Sequence, residues 1–348
     1  GSHQTRVRVS HACKDSSMRL LDLIAQGCTK TIHIGNGGVL PGAEAFKDAV
    51  RTCPVRYVLA DDLARCATQF AFAEGDRLSS CLDLIRVPAR RLWVEWMDAP
   101  RNDQLQSIAA LELERHDLTR RAGALLTAAA DCRSGEIRTF WSTHADLAYV
   151  SPVVIQFDLD DIPKRIAAAD SALDGGWAAV TAPQGCGLEQ ILEHVRFRFD
   201  VQWSAYYRSR CLTSEMRDAV LRRNLGTCAF DPPMLFALFL LFSARDALPL
   251  RTVDMGALNR ARSRKGKPPL LEHVEVSAPL WAPSSAYPSC EKRSFERRRP
   301  RLHHVCGHIV RRGATVFWRA PHLRGSARLG QVRTRTVELS FVDPVHGS

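Results

Sequence analysis

Arg91-Leu92-Trp93-Val94-Glu95-Trp96 is the stretch on which the fold reading turns. Leu92, Val94 and Trp96 alternate with Arg91, Trp93 and Glu95, so every second side chain is apolar on one side of an extended chain. Aromatic and β-branched residues suit a pleated, half-buried surface, and the stretch is therefore predicted to be a strand. Outward from it, residues 123–127, 137–141 and 153–159 read as further strands, as does 55–59. Short runs at 43–50 and 61–72 have helical spacing. Strands in succession predict an antiparallel or mixed sheet. Within it, Glu95 between two tryptophans has two readings, a structural ion pair or a lone catalytic carboxylate, and the ion pair is preferred. Ile34-Gly35-Asn36-Gly37-Gly38 invites a phosphate-loop reading. It lacks the second half of a G-x-G-x-x-G and the Lys-Ser/Thr of a P-loop, so a plain turn is expected.

The pattern turns helical beyond residue 187. Segments 188–206, 214–223 and 233–244 are predicted helices, as is 162–173 before them. Ser214 is the expected N-cap of the second, with Arg222 and Arg223 suiting its C-terminal end. Asp231 before Pro232-Pro233 is a start signal for the third, and its all-round apolar run, 234–242, implies a buried core helix. That run is well short of the ~20 residues needed to span a bilayer, so no membrane span is expected. A short strand at 273–276 and a Pro-, Ser- and Arg-rich linker follow. The expected fold class is α+β: a mixed α/β domain over 4–187, a helical segment with a short strand over 188–277, a linker over 278–301, and a basic β-hairpin module over 302–342.

Charge is divided unevenly along the 348 residues. The whole chain is +11, whereas residues 251–348 alone hold 19 Lys and Arg against 7 Asp and Glu, and so carry all of the excess. Segregated charge of this size implies a polyanionic partner. Gly1-Ser2-His3 reads as a tag remnant, and no secretory signal pattern follows it. The 11 cysteines are odd in number, scattered and without a C-x-x-C pair. Reduced thiols and a cytoplasmic location are expected, with no cofactor.

Within the basic block, 302–310 and 315–323 are two strand-like runs joined by Arg311-Arg312-Gly313-Ala314. With Gly313-Ala314 as a two-residue turn, His308 faces Arg319, Ile309 faces Trp318, Val305 faces His322 and His303 faces Arg324. Three chemistries fit. In nucleic-acid binding, Arg311, Arg312, Arg319 and Arg324 meet phosphates, Trp318 stacks on a base, and Arg262, Arg264, Lys265 and Lys267 add a second basic segment. Acid–base cleavage of a phosphodiester would use His308, Arg319 and His322. A zinc site at His304, Cys306, His308 and His322 lacks the usual spacings, and the flanking arginines oppose a dication, so no metal is expected. Asp158 and Asp160 end a predicted strand, as magnesium ligands of nucleases do, but Asp161-Ile162-Pro163 reads better as a helix start.

Three motifs carry a resemblance. They are Leu258-Asn259-x-Ala261-Arg262-x-x-x-Gly266-Lys267-Pro268-Pro269-Leu270, His304-Val305-x-Gly307-His308, and Trp318-x-x-Pro321-His322-x-Arg324-Gly325. Together they resemble the C-terminal half of a phage- and prophage-associated proteobacterial family to which no activity is attached. The 91–95 strand is similar to a segment of that family's N-terminal half. Members often carry arginine where this chain has Cys306. The resemblance implies a mobile-element or defence context and brings no mechanism. The function expected is nucleic-acid binding through the basic C-terminal module. The alternatives are a metal-independent endoribonuclease of toxin type, and an inhibitor or scaffold for an acidic protein partner.

Overall fold

The alternating stretch at 91–96 becomes one of the inner strands of a mixed eight-stranded sheet. The structure is a computed structural model. It describes residues 18–29, 32–34, 38–40, 42–97, 119–143, 147–161, 172, 176–180, 188–210, 213–244, 247–278, 301–305, 308–319, 322–324 and 326–331. Strands β1 (Ile32–Ile34) and β2 (Gly38–Leu40) pair antiparallel, with Ile34 opposite Gly38, and the turn expected at 35–37 lies outside the described residues. The large sheet contains β3 (Val55–Leu59), β4 (Arg91–Met97), β5 (Thr119–Ala128), β6 (Ser134–Thr143) and β7 (Ala148–Asp158). To these it adds β8 (Val195–Phe199), β9 (Leu250–Val253) and β10 (His273–Val276), in the order β8-β7-β6-β5-β4-β3-β10-β9. The strands from β4 to β8 form an antiparallel meander, while β3 is parallel to both β4 and β10. Both sheet and helices pack around common cores, so the protein is of the α+β class.

The pleat of β4 sorts the core into two layers. Leu92, Val94 and Trp96 share a face with Ala124, Leu126, Ile137, Ile155 and Phe197, and this face is covered by helices. The covering elements are α3 (Asp61–Ala73), α4 (Gly75–Ser79), α5 (Glu189–Glu193), α7 (Ser214–Cys228) and α8 (Asp231–Ser243), following α1 (Leu20–Gln26) and α2 (Lys47–Arg51) in the chain. Helix α8 is buried from Asp231 to Leu241, as its uniform apolarity dictates. Phe236 meets Phe157 edge-on at 5.7 Å, and Phe242 stacks on Tyr57 at 4.7 Å. Phe157 and Phe236 are fully buried, which contributes about 1.5–3 kcal/mol each. On the opposite face Trp93, Leu125, Phe140 and Val150 lie under α1 and α2.

Glu95 points to this second face and is fully buried. Its carboxylate accepts the N–H of Leu20 and of Leu21, each at 2.9 Å, and Arg121 Nη1 donates to it at 3.3 Å. A charge that would be costly alone is thus set on the unpaired amides and positive dipole end of α1. The preferred reading of Glu95 as a structural ion pair agrees with this geometry.

In the same first turn of α1, Asp22 is equally buried and accepts the Leu271 N–H at 2.8 Å. Burial first, and the neighbouring Glu95 charge, push its carboxyl up to about 6 from the usual 3.8, against the Leu271 hydrogen bond and the nearby Arg19 and Arg262. Between those two values the folded state binds more protons than the unfolded chain, so stability falls as pH rises through the window and levels off above it. Asp22→Asn keeps an acceptor for Leu271 and removes the charge. Its stability relative to the unmodified protein is expected to rise by on the order of 2 kcal/mol between pH 4 and pH 7, as urea unfolding at the two pH values will measure.

Three sequence expectations are corrected here. Segment 188–206 is not one helix: after α5 the chain forms strand β8, then α6 (Val201–Arg210). Val195, Phe197 and Phe199 are buried at alternate positions while Arg196 and Arg198 lie over the Trp177 ring, and β8 completes the hydrogen bonds of β7. As β8 and β10 belong to the same sheet as β4, the sheet crosses the boundary expected at 187/188. The N-cap of α7 is Thr213, whose Oγ1 accepts the Met216 N–H at 3.3 Å, rather than Ser214. The helical run Ser214–Ser243 is long and apolar enough to cross a membrane by length and composition, and 78% of its apolar window is buried inside the protein. The predicted helix at 162–173 lies outside the described residues, apart from Ala172.

Candidate nucleic-acid interface

The basic C-terminal segment forms a β-ribbon in the expected register. Strands β11 (Arg301–Val305) and β14 (His322–Arg324) pair antiparallel, with His303 opposite Arg324 and Val305 opposite His322. Strands β12 (His308–Arg312) and β13 (Thr315–Arg319) pair antiparallel in a sheet of their own, with His308 opposite Arg319 and Ile309 opposite Trp318. The turn is the two residues Gly313 and Ala314, and Gly313 sits at φ +59°, where a side chain would be strained. Strand β15 (Ser326–Gln331) lies parallel to β11 on its other side. For His303, His304, His308, Trp318 and His322 these are backbone positions, and their side chains lie outside the described residues, as Cys306 does altogether.

One side of β12–β13 is docked on the body of the protein. Val316 is buried in the core that contains α8. Arg311, directly opposite Val316, clasps Asp83 with both ends of its guanidinium, Nη1 to Oδ1 at 2.9 Å and Nη2 to Oδ2 at 2.8 Å. It also donates to the carbonyls of Ser80 and, through Nε, of Gly313. The pleat directs the alternate residues outward. Arg312 and Arg319 are exposed there, with Phe317 between them half-buried and the Arg312 guanidinium 5.3 Å from its ring centre. Arg324 is exposed on β14. No carboxylate among the described residues pairs with Arg312, Arg319 or Arg324. Of the four arginines expected on phosphates, three are open to solvent and one is engaged by Asp83.

The second basic segment is built differently. Helix α9 (Gly256–Ser263) ends in a loop that its own side chains hold. Asn259 exchanges two hydrogen bonds with Leu270, at 2.9 and 2.8 Å, and Arg262 Nε donates to the Pro268 carbonyl at 2.8 Å. Gly266 takes a left-handed φ of +64° where the helix stops. The first motif is therefore a clip that closes a loop, and Arg262 is part of it. Arg264, Lys265 and Lys267 remain exposed. Leu271 is tied to Asp22 on the α1 side of the sheet, whereas the hairpin rests on the α8 side. The two basic segments thus do not converge on one surface.

The aspartate cluster at the end of β7 has structural partners. Asp158 Oδ1 accepts the N–H groups of Asp160 and Asp161, at 3.0 and 3.1 Å. Asp160 pairs with Arg133, which holds its carboxyl below the usual range through their hydrogen bond. Among the described residues no three of His, Cys, Asp and Glu are grouped to hold a metal. Sequence reasoning missed Asp83 and Ser80 as partners of Arg311, and Arg133 as the buried cation beneath them. No local pattern marks these contacts, because each joins segments far apart in the chain. Comparison with protein families, curated proteins and solved structures finds no match.

Proposed function

We propose that the protein binds nucleic acid through the outward side of the β12–β13 hairpin. The observation that carries this reading is the pair of exposed arginines, Arg312 and Arg319, flanking the half-buried Phe317 ring on a hairpin anchored from behind, with Arg324 exposed on β14. Guanidinium groups bind phosphate oxygens in bidentate fashion, and an aromatic ring beside them offers a surface for a base. The excess of Lys and Arg over residues 251–348 supplies the long-range attraction. A cytoplasmic location and a mobile-element or defence context belong to the same proposal. Titration with single-stranded RNA, single-stranded DNA and duplex at several salt concentrations tests it. Binding whose log K falls linearly with log salt is expected, and undetectable binding, or binding without a salt slope, refutes it.

A second reading is metal-independent RNA cleavage. It rests on the register of His308 opposite Arg319, which pairs a candidate general acid or base with a phosphate ligand. RNA incubated with the protein and a chelator decides it: absence of products, or products unchanged by His308→Ala, rejects cleavage. Capture of an acidic protein that survives nuclease treatment would favour a scaffold or inhibitor over both readings.

A further inference from the structure

We infer that Asp83, with the Ser80 carbonyl, is a built-in competitor for the polyanion: it occupies the phosphate-binding fork of Arg311 and sets the affinity of the hairpin. This inference rests on the nucleic-acid-binding reading and concerns its regulation. A guanidinium grips a carboxylate and a phosphate with the same pair of parallel N–H groups, so whichever anion holds the fork excludes the other. Arg311 meets Asp83 in that two-pronged geometry, at 2.9 and 2.8 Å. Its third donor group is spent on Gly313, and the Ser80 carbonyl takes another N–H.

The pair lies at the rim of the docked face and not beneath it. The Arg311 side chain is 37% exposed and that of Asp83 59%, so an incoming phosphate can reach the guanidinium from solvent. Solvent weakens an ion pair this exposed, so a polyanion with several simultaneous contacts can displace the carboxylate. Val316 keeps the hairpin seated whether or not the fork is filled. Neighbouring Arg312 and Arg319 on the other side have no such partner among the described residues, which makes Arg311 the one hairpin arginine held in reserve.

The test compares the full-length protein with Asp83→Asn, using labelled poly(U) and, separately, heparin as probes. Asp76→Asn, an exposed carboxylate on α4, controls for the change in net charge. Asp83→Asn is expected to bind both probes several-fold more tightly, with a log–log salt slope steeper by about one contact, while Asp76→Asn gains far less. Adding Arg311→Ala to Asp83→Asn should cancel the gain. Equal or weaker binding by Asp83→Asn overturns the inference, as does a gain that survives Arg311→Ala or is matched by Asp76→Asn. If no variant binds either probe, the binding reading itself fails and the competitor with it. That outcome differs from a protein that binds normally and ignores position 83.

Discussion

Glu95→Ala is expected to destabilise the fold by about 3–5 kcal/mol, the range for removing one partner of a buried charge pair. Three groups lose their acceptor at once: the amides of Leu20 and Leu21 and the Arg121 guanidinium. Arg121 Nε is already buried without a partner, so that cation has nowhere to turn. The effect passes from a single side chain to packing, because α1 covers Trp93 and Phe140 and is oriented by its N-terminal amides. Urea unfolding should show a lower midpoint with little change in slope. Glu95→Gln, which restores one acceptor oxygen without the charge, should recover part of the loss.

Arg133→Ala is expected to cost a comparable ~3–5 kcal/mol, for a related reason on the other side of the sheet. The Arg133 guanidinium donates to the carbonyls of Leu82, Asp83, Ile85 and Leu159 and pairs with Asp160. Its loss strands buried acceptors and leaves the 82–85 turn without its internal tie. Lysine cannot reproduce that planar fork, so Arg133→Lys should remain strongly destabilised. The same turn presents Asp83 to Arg311, so hydrogen exchange of the β13 amides should quicken in Arg133→Ala. Unchanged stability in Arg133→Ala would contradict the assignment of this residue as the tie between the helical layer and the end of β7.

Much of the local structure was legible in the sequence because local rules govern it. The alternation at 91–96 reads correctly as β4, and 273–276 becomes β10 with the expected bounds. The register of the basic ribbon follows from one assumption, a two-residue turn at Gly313-Ala314, since turn length fixes every pair outward from it. Strand β8 was hidden by its setting. Val195-Arg196-Phe197-Arg198-Phe199 is short and lies between two helices, so its period of two was absorbed into a longer helical pattern.

Tertiary partners were the larger omission. Pairing of β10 with β3 joins residues more than 200 positions apart, and Asp83 lies 228 positions from Arg311. Nothing in either neighbourhood announces the other. The Asn259 and Arg262 motif was visible as a motif, yet its role as a loop clip depends on hydrogen bonds to Leu270 and Pro268 that spacing alone does not specify. As a result, both basic segments were assigned to one polyanion, whereas their described parts lie on two sides of the sheet and the hairpin's Arg311 is already engaged by Asp83.

On the proposed function, the outward hairpin row, and not net charge in general, meets the polyanion. The most direct measurement is the salt dependence of poly(U) binding by the double variant Arg312→Ala/Arg319→Ala, set beside Arg264→Ala/Lys265→Ala, which removes the same charge from the α9 loop. The hairpin variant is expected to lose about 1.4 units of the log–log slope and at least tenfold in affinity at low salt, with the loop variant much less affected. Equal losses in the two variants, or an unchanged slope in the hairpin variant, would contradict the account.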